Sequence, residues 1–238
     1  LVPGDVQAPR LEDALAWAPG EREDWAQPTS LEESAFADFT EAEWRRLETK
    51  LGPELSDEDR QDVFEGDFFA YAPRALALQH LDEMHPTPWL AQWIRVVVTR
   101  LGLDVLPALE RCADALWKEV PGVFAPFAAQ RLAPRVAEAF HGKRLRAPAR
   151  DWLLRHPAHA TAGLLAPALG KPGKEQDAAR AALRLLATHG HEARVLDVAA
   201  RASPQPHVRE AVARLLAVDP VNLVPTKRPK RPDWLGLE

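Results

Sequence analysis

The chain has 238 residues with 46% hydrophobic side chains, which is enough to bury a sizeable core in one or two helical domains. Its single cysteine, Cys112, excludes an intramolecular disulfide and favours a reducing compartment, so we expect a cytoplasmic protein. The sequence contains neither the roughly 18 consecutive apolar residues of a membrane span nor an export signal, so we expect no membrane association.

The net charge of −5 conceals a strong charge asymmetry along the chain. Residues 1–70 carry 19 acidic and 6 basic side chains, whereas residues 130–238 carry 19 basic and 10 acidic side chains. This asymmetry can steer an anionic partner to the C-terminal half, or it can draw the two halves together within one fold or between copies. The charge count alone leaves these uses open.

The first part of the chain is predicted to contain an arm followed by acidic helices. Prolines interrupt residues 1–30, which we expect to be loosely ordered apart from a short helix at residues 11–17. Residues 31–140 form the next predicted region, which is helical. Capping-box pairs, Ser30 with Glu33 and Thr40 with Glu43, predict helices that begin near these positions.

Further helices are predicted across the remainder of this region from apolar spacing and from the placement of proline. One of them, at residues 89–101, contains a β-branched run that alone could form a strand, but its flanking apolar residues favour a buried helix. The other predicted helices cover residues 56–64, 73–84, 103–117, 124–140 and 150–156.

The C-terminal third carries a weak internal repeat. Residues 181–187 align with residues 211–217 at an offset of 30, and the Trp-Leu-Leu at 152–154 lies 32 before the Arg-Leu-Leu at 184–186. Periods in this range are typical of helical-hairpin solenoids. We therefore predict an all-α chain of stacked helical hairpins, with HEAT-like repeats at residues 141–225 and a Pro/Lys/Arg-rich tail at residues 226–238.

No catalytic, cofactor or metal signature persists on inspection. The Gly-Lys-Pro-Gly-Lys run at 170–174 lacks the Walker pattern, since Ala168 and Glu175 occupy two of its required positions, and it favours a helix end followed by a basic turn. The pairs His156/His159 and His189/His191 lack companion ligands and favour helix ends.

Three other features also favour structural interpretations over functional ones. Cys112 has no neighbouring histidine and is predicted to be a buried apolar residue. The acidic residues within 54–62 favour a solvated helix start. The tryptophans could form a recognition surface, but large rings at helical spacing favour the core, where we place four of them. These four are Trp89, Trp93, Trp117 and Trp152.

Basic runs at 141–146 and 227–231 could contact phosphates through charge, but an exposed loop and a solvated tail are the favoured interpretation. The candidate contacts for an anion or a nucleic acid are Lys143, Arg144, Arg146, Lys171, Lys174, Lys227, Arg228, Lys230 and Arg231.

The Trp-Leu-Leu-Arg-His-Pro element at 152–157, the Leu-Leu-Ala-Val-Asp-Pro element at 215–220 and the proline-lysine tail at 224–234 resemble a segment of large bacterial MolR-like proteins, which often carry a WGR domain. The resemblance covers roughly residues 145–235. It implies a helical-repeat connector and a link to molybdate-dependent regulation. No catalytic residue carries over, and this chain has no WGR element.

These features lead us to expect a non-catalytic α-helical scaffold, a fragment of a larger bacterial protein, that binds a protein partner or an adjacent domain. The fragment is suggested by a start at Leu1 instead of methionine and an end after the proline-rich tail. The alternative is a nucleic-acid-binding module that uses the basic C-terminal half. A third hypothesis, an unrecognised enzyme, requires a deep pocket where ionisable groups converge.

Overall fold

The computed structural model describes residues 6, 8–27, 38–50, 66–84, 88–120, 122–202 and 206–217. Within these ranges the chain is almost entirely helical, and its two strands, β1 (Ala14–Leu15) and β2 (Phe127–Ala128), form one short antiparallel pair. The all-α prediction is confirmed for this part. The helices predicted to begin near residue 31 and at residues 56–64, the acidic cluster and the tail at 226–238 lie outside the described residues.

The N-terminal helices are α1 (Glu21–Trp25), α2 (Glu41–Lys50), α3 (Gly66–Tyr71) and α4 (Arg74–Gln79). The capping box predicted at the start of α2 is confirmed: the Thr40 N–H donates to Glu43 Oε2 at 2.7 Å, and the Glu43 N–H donates to Thr40 Oγ1 at 3.4 Å. These bonds satisfy donors that the first helical turn leaves unpaired.

Residues Pro88–Leu101 form α5, which confirms the helical interpretation of the β-branched run. Ile94, Val97 and Val98 are fully buried, and α5 packs against α3. Near its end, Arg100 donates to the carbonyls of Phe69 at 3.1 Å and Ala72 at 2.6 Å, which satisfies acceptors at the C-terminal end of α3.

Two predicted helices are shorter than expected. Residues 73–84 form α4 and a 3₁₀ turn at Leu81–Glu83. Residues 103–117 divide into a 3₁₀ turn at Gly102–Val105, α6 (Leu106–Arg111) and α7 (Ala113–Glu119). The break between α6 and α7 falls at Cys112, whose φ of −92° and ψ of 2° are not helical.

The helix predicted at residues 11–17 is wrong, and so is the first part of the helix predicted at residues 124–140. Residues 14–15 and 127–128 pair as β1 and β2, and the adjoining Ala16 N–H donates to Pro126 O at 2.8 Å. This pairing supplies the backbone hydrogen bonds that short isolated helices would otherwise have to form. The helix α8 (Ala133–His141) begins only after a 3₁₀ turn at Gln130–Leu132.

Residues 8–18, predicted as part of a loosely ordered arm, lie along the C-terminal half of the chain. The Leu11 N–H donates to Gln130 Oε1 at 3.2 Å, and His159 Nε2 lies 3.0 Å from Glu12 O. Arg131 forms ion pairs with Asp13 and with Glu110. Residues of the acidic and basic halves are therefore in direct contact.

The C-terminal half consists of α8 followed by α9 (Arg146–Arg155), α10 (Pro157–Leu169), α11 (Lys174–Leu186), α12 (Glu192–Arg201) and α13 (Pro206–Leu216). Close packing joins α8 with α9, α10 with α11, and α12 with α13. These pairs also stack, because α10 contacts both α8 and α12 while α11 contacts both α9 and α13. The three segments of the sequence repeat lie in α9, α11 and α13, which occupy equivalent places in successive pairs.

Close packing fixes how these helices meet. At Gly163 of α10 a Cβ atom would lie 2.7 Å from Ala133 Cβ and closer still to the carbonyl oxygen of Gln130, so only glycine fits. On α9, the buried Trp152 donates its indole N–H to Phe127 O at 2.9 Å. Trp93, Trp117 and Trp152 are buried as predicted. No helix within the described ranges has both the length and the hydrophobicity needed to cross a bilayer.

Candidate anion-binding groove

A groove of about 580 Å³ lies where the C-terminal end of α10 meets α11 and α13. Its apolar part comes from Leu169, Ala211 and Leu215, and its charged part comes from three arginines. Among the residues that the structure describes, those that line the groove are Leu169, Gly170, Pro172, Gln176, Arg180, Arg184, Ala211, Arg214 and Leu215.

Helical spacing places the polar lining of α11 on one side of that helix. Gln176, Arg180 and Arg184 recur every four residues, so their side chains follow one another along a single face. Ala182 and Leu183 are fully buried in the core between the stacked pairs. The amphipathic pattern that packs α11 into the stack therefore also presents its arginines to the groove.

Each groove arginine is held by a backbone carbonyl through its Nε–H. Arg180 donates to Ala168 O at 3.0 Å, Arg184 donates to Leu215 O at 3.2 Å, and Arg214 donates to Glu210 O at 3.4 Å. Two of these acceptors lie in the last turn of α10 or α13, where helix carbonyls lack intrahelical partners. The bonds position the side chains and leave the terminal guanidinium nitrogens available for a ligand.

Among the described residues, no carboxylate forms an ion pair with Arg180, Arg184 or Arg214. Two arginines elsewhere do have carboxylate partners, since Arg131 pairs with Asp13 and Glu110, and Arg155 pairs with Glu21. The groove therefore collects positive charge that the described part of the fold does not neutralise. Such a site favours an anion, because guanidinium groups bind carboxylates and phosphates through charge-assisted hydrogen bonds.

The basic residues predicted from sequence are distributed over separate places. Lys171 and Lys174 are exposed, and the turn that contains Lys171 borders the groove through its neighbours Gly170 and Pro172. Lys143 and Arg144 lie exposed in the turn between α8 and α9.

Arg146, the first residue of α9, lies beside that turn. It donates its Nε–H to Phe140 O at 3.1 Å, with its guanidinium 6.0 Å from the centre of the Phe140 ring. The remaining candidates lie in the tail, outside the described residues: Lys227, Arg228, Lys230 and Arg231.

Sequence reasoning did not single out the three groove arginines. One signal was available, because the repeat offset of 30 residues aligns Arg184 with Arg214. When a hairpin unit repeats along a stack, arginines at equivalent positions of successive units lie on the same edge of the stack. Arg180 has no comparable signal.

The histidines and the cysteine serve structural contacts. The buried His156 donates its Nε2–H to Ala125 O at 2.7 Å, and burial lowers the pKa of His156 to about 4, so the ring is neutral at pH 7. Cys112 is buried with Sγ 3.4 Å from Met84 O, and burial raises the pKa of its thiol, which disfavours the nucleophilic thiolate. Across the residues that the structure describes, no three His, Cys, Asp or Glu side chains converge as a metal site would require.

The run at residues 170–174 does not form a phosphate loop. It follows α10, a helix, and not the strand that precedes a Walker loop, and α11 begins at Lys174. The predicted helix end followed by a basic turn is confirmed, since α10 ends at Leu169 and Gly170 follows it.

Comparison with known proteins gives one informative similarity. Uncharacterized protein YehI of Escherichia coli (strain K12) is 32% identical to this chain over 168 residues, which is 69% of this chain and 14% of YehI. The chain thus spans about one seventh of the length of that relative. No family model and no solved structure matches the chain.

Proposed function

We propose that the chain is a non-catalytic interaction module within a larger bacterial protein, and that its C-terminal helices form HEAT-like repeats that hold a protein segment. The observation that carries the proposal is the groove between α11 and α13, which is built from equivalent helices of stacked pairs and gathers three arginines without carboxylate partners among the described residues. Stacked helical hairpins commonly bind partners along such extended surfaces.

The HEAT-like assignment rests on two independent features. The first is the set of contacts in which each helix packs against its hairpin partner and against the helix two positions along the chain, beside an extensive contact of α8 with α11. The second is the sequence offset of about 30 residues between α11 and α13. Both features are expected when one supersecondary unit is repeated and stacked.

A binding role fits the chemistry of the groove better than catalysis does. The described residues that line it carry arginine, glutamine, glycine, proline and aliphatic side chains, which supply neither a nucleophile nor a general base. The similarity to part of the much longer YehI, and the resemblance to MolR-like proteins at residues 145–235, support a module within a large protein.

Site-specific photocrosslinking tests this function. A benzoylphenylalanine replaces Pro172, an exposed residue that lines the groove, and the matched control replaces Lys118, an exposed residue of α7. In a lysate of the source organism we expect a discrete crosslinked protein from position 172 only, and we expect excess unlabelled chain to suppress it. No crosslink at 172, or the same pattern from both positions, would overturn the proposal.

A second candidate function is nucleic-acid binding, favoured by the exposed residues Lys143, Arg144 and Arg146 at the α8–α9 turn. It predicts that DNA or RNA binds with an affinity that falls steeply as salt rises, because neutralised phosphates release counterions. Neutralising these three side chains would abolish that binding. A titration of labelled DNA and RNA at low and physiological salt tests it, and salt-independent or absent binding removes it.

A further inference from the structure

We infer that the groove between α11 and α13 binds an acidic, amphipathic peptide segment, whose carboxylates pair with Arg180, Arg184 and Arg214 while an aliphatic side chain contacts the groove floor. This inference rests on the proposed function and specifies the chemistry of the partner. It adds a site that neither the sequence motifs nor the similarity to YehI assigns.

The first argument is the arrangement of positive charge. Arg180 and Arg184 lie one helical turn apart on α11, and Arg214 faces the same groove from α13. Their Nε–H groups are already committed to the carbonyls of Ala168, Leu215 and Glu210, so ligand binding has less side-chain freedom to restrict. Carboxylates spaced by one helical turn match the spacing of the two arginines on α11.

The second argument is the apolar floor. Leu215 is 8% exposed, and Leu169 and Ala211 are partly exposed beside it. An aliphatic side chain placed between two carboxylates would cover these surfaces and exclude water from the ion pairs, which strengthens them. A peptide supplies both chemistries from one backbone, whereas a free inorganic anion supplies only the charge.

The third argument distinguishes a peptide from a nucleic acid. Proteins that bind single strands stack bases on aromatic side chains, but none of the described residues that line this groove is aromatic. The nearest alternative for a phosphate backbone is the exposed basic turn at Lys143 and Arg144, which belongs to the α8–α9 connection and does not line the groove.

Fluorescence anisotropy with a defined probe tests the inference on the full 238-residue chain. The probe is a labelled 14-residue helical peptide with glutamates four positions apart and a leucine between them, and its control carries glutamines at those positions. At physiological salt we expect the glutamate peptide to bind about tenfold or more tightly than the glutamine peptide. Equal binding of the two peptides, or none, overturns the inference.

Matched variants locate the binding. The variant R184Q/R214Q removes two groove charges, and R194Q/R209Q removes two exposed charges from α12 and α13 that do not line the groove. We expect affinity to fall about tenfold or more in the first variant and less than about twofold in the second. Equal losses in both variants overturn the inference, since they indicate non-specific attraction to a basic surface.

Because Arg184 also bonds to Leu215 O, R184Q/R214Q can affect folding. The variant A211E therefore places a negative charge in the groove while leaving the arginine bonds in place, and we expect it to weaken the glutamate peptide to a similar extent. Circular dichroism melting verifies that each variant is folded. Retained affinity in folded A211E overturns the inference.

The remaining outcomes identify other occupants. Groove-dependent binding of a 12-nucleotide RNA in place of the peptide overturns the inference in favour of a nucleic acid. Self-association in light scattering that is lost in R184Q/R214Q overturns it in favour of a second copy of the chain. If photocrosslinking finds a partner at position 172 but the glutamate peptide does not bind, the proposed function stands and this inference fails.

Discussion

Arg155 on α9 forms a half-buried ion pair with Glu21 at the start of α1, with Nη1 donating to Glu21 Oε1 at 2.9 Å across 134 residues of sequence. The same guanidinium donates to the carbonyl of Ala16. The acidic N-terminal segment is thus fastened to the basic helical stack at a defined point. The charge asymmetry left open whether the two halves attract each other within one fold, and this ion pair is such an attraction.

Replacing Glu21 by glutamine should lower the free energy of unfolding by about 1–2 kcal/mol, because it leaves Arg155 half-buried without its carboxylate. Urea denaturation followed by tryptophan fluorescence measures the change. The matched control is E23Q, an exposed residue of the same helix, which should change stability by less than about 0.5 kcal/mol. Equal effects of the two variants would contradict a specific role for the pair.

The same pair predicts an acid dependence of stability. Burial alone would raise the pKa of Glu21, but hydrogen bonds from Arg155 and the Ala18 N–H, with the charge of Arg155, lower it overall. A carboxyl whose pKa is lower in the folded state stabilises the fold above its unfolded value, near 4.5, and loses that contribution as pH falls through the folded value. The difference in stability between wild type and E21Q should therefore shrink below pH 4.5 and be largest at neutral pH.

The buried His156 leads us to expect a second pH dependence of the unfolding free energy, at higher pH than that of Glu21. Burial lowers its pKa to about 4 against the opposing hydrogen bond to Ala125 O, and Arg155 lowers it further, so the folded state favours the neutral ring. In the unfolded state the pKa of His156 has its ordinary value near 6.5, so the unfolding free energy should fall as pH drops from 6.5 towards 4.

Urea denaturation of wild type and H156Q across this range tests that dependence. The glutamine amide can still donate to Ala125 O but does not titrate, so H156Q should lose most of the slope between pH 6.5 and pH 4.5. H189Q changes an exposed histidine and should retain the wild-type slope. An unchanged slope in H156Q would show that other groups cause the dependence.

Two physical effects change the stability of the variant G163A in opposite directions. Helix propensity favours alanine over glycine by about 1 kcal/mol at an interior position of α10. An added Cβ would clash with Gln130 O and Ala133 Cβ, and this overpacking destabilises the fold by more than the gain in helix propensity. G163A should therefore be less stable than wild type by about 2–3 kcal/mol. Thermal denaturation measures the change, and a stabilised G163A would contradict the close approach of α10 to the turn before α8.

Local signals predicted much of this fold because their causes are local. The Thr40–Glu43 capping box involves residues three apart, and the helix at 88–101 follows from apolar spacing around its β-branched run. The β1–β2 pair could not be predicted in this way. Its strands are more than a hundred residues apart, and their two-residue length leaves no readable alternation.

The candidate groove was only partly accessible to sequence reasoning. The runs at 141–146 and 170–174 stand out because their charges are adjacent in sequence, whereas Arg180, Arg184 and Arg214 are isolated among apolar residues. Convergence of these three arginines depends on how α11 stacks on α13, which is a tertiary contact. The repeat alignment of Arg184 with Arg214 was the available clue.

The most direct test of the central claim, that the α11–α13 groove is a binding surface, is amide hydrogen exchange of the chain with and without a saturating amount of the glutamate peptide. We predict slower exchange in residues 174–186 and 206–216 and unchanged exchange in α5, which lies in the other half of the chain. Unchanged exchange in both groove helices, or equal slowing in α5, would contradict the claim.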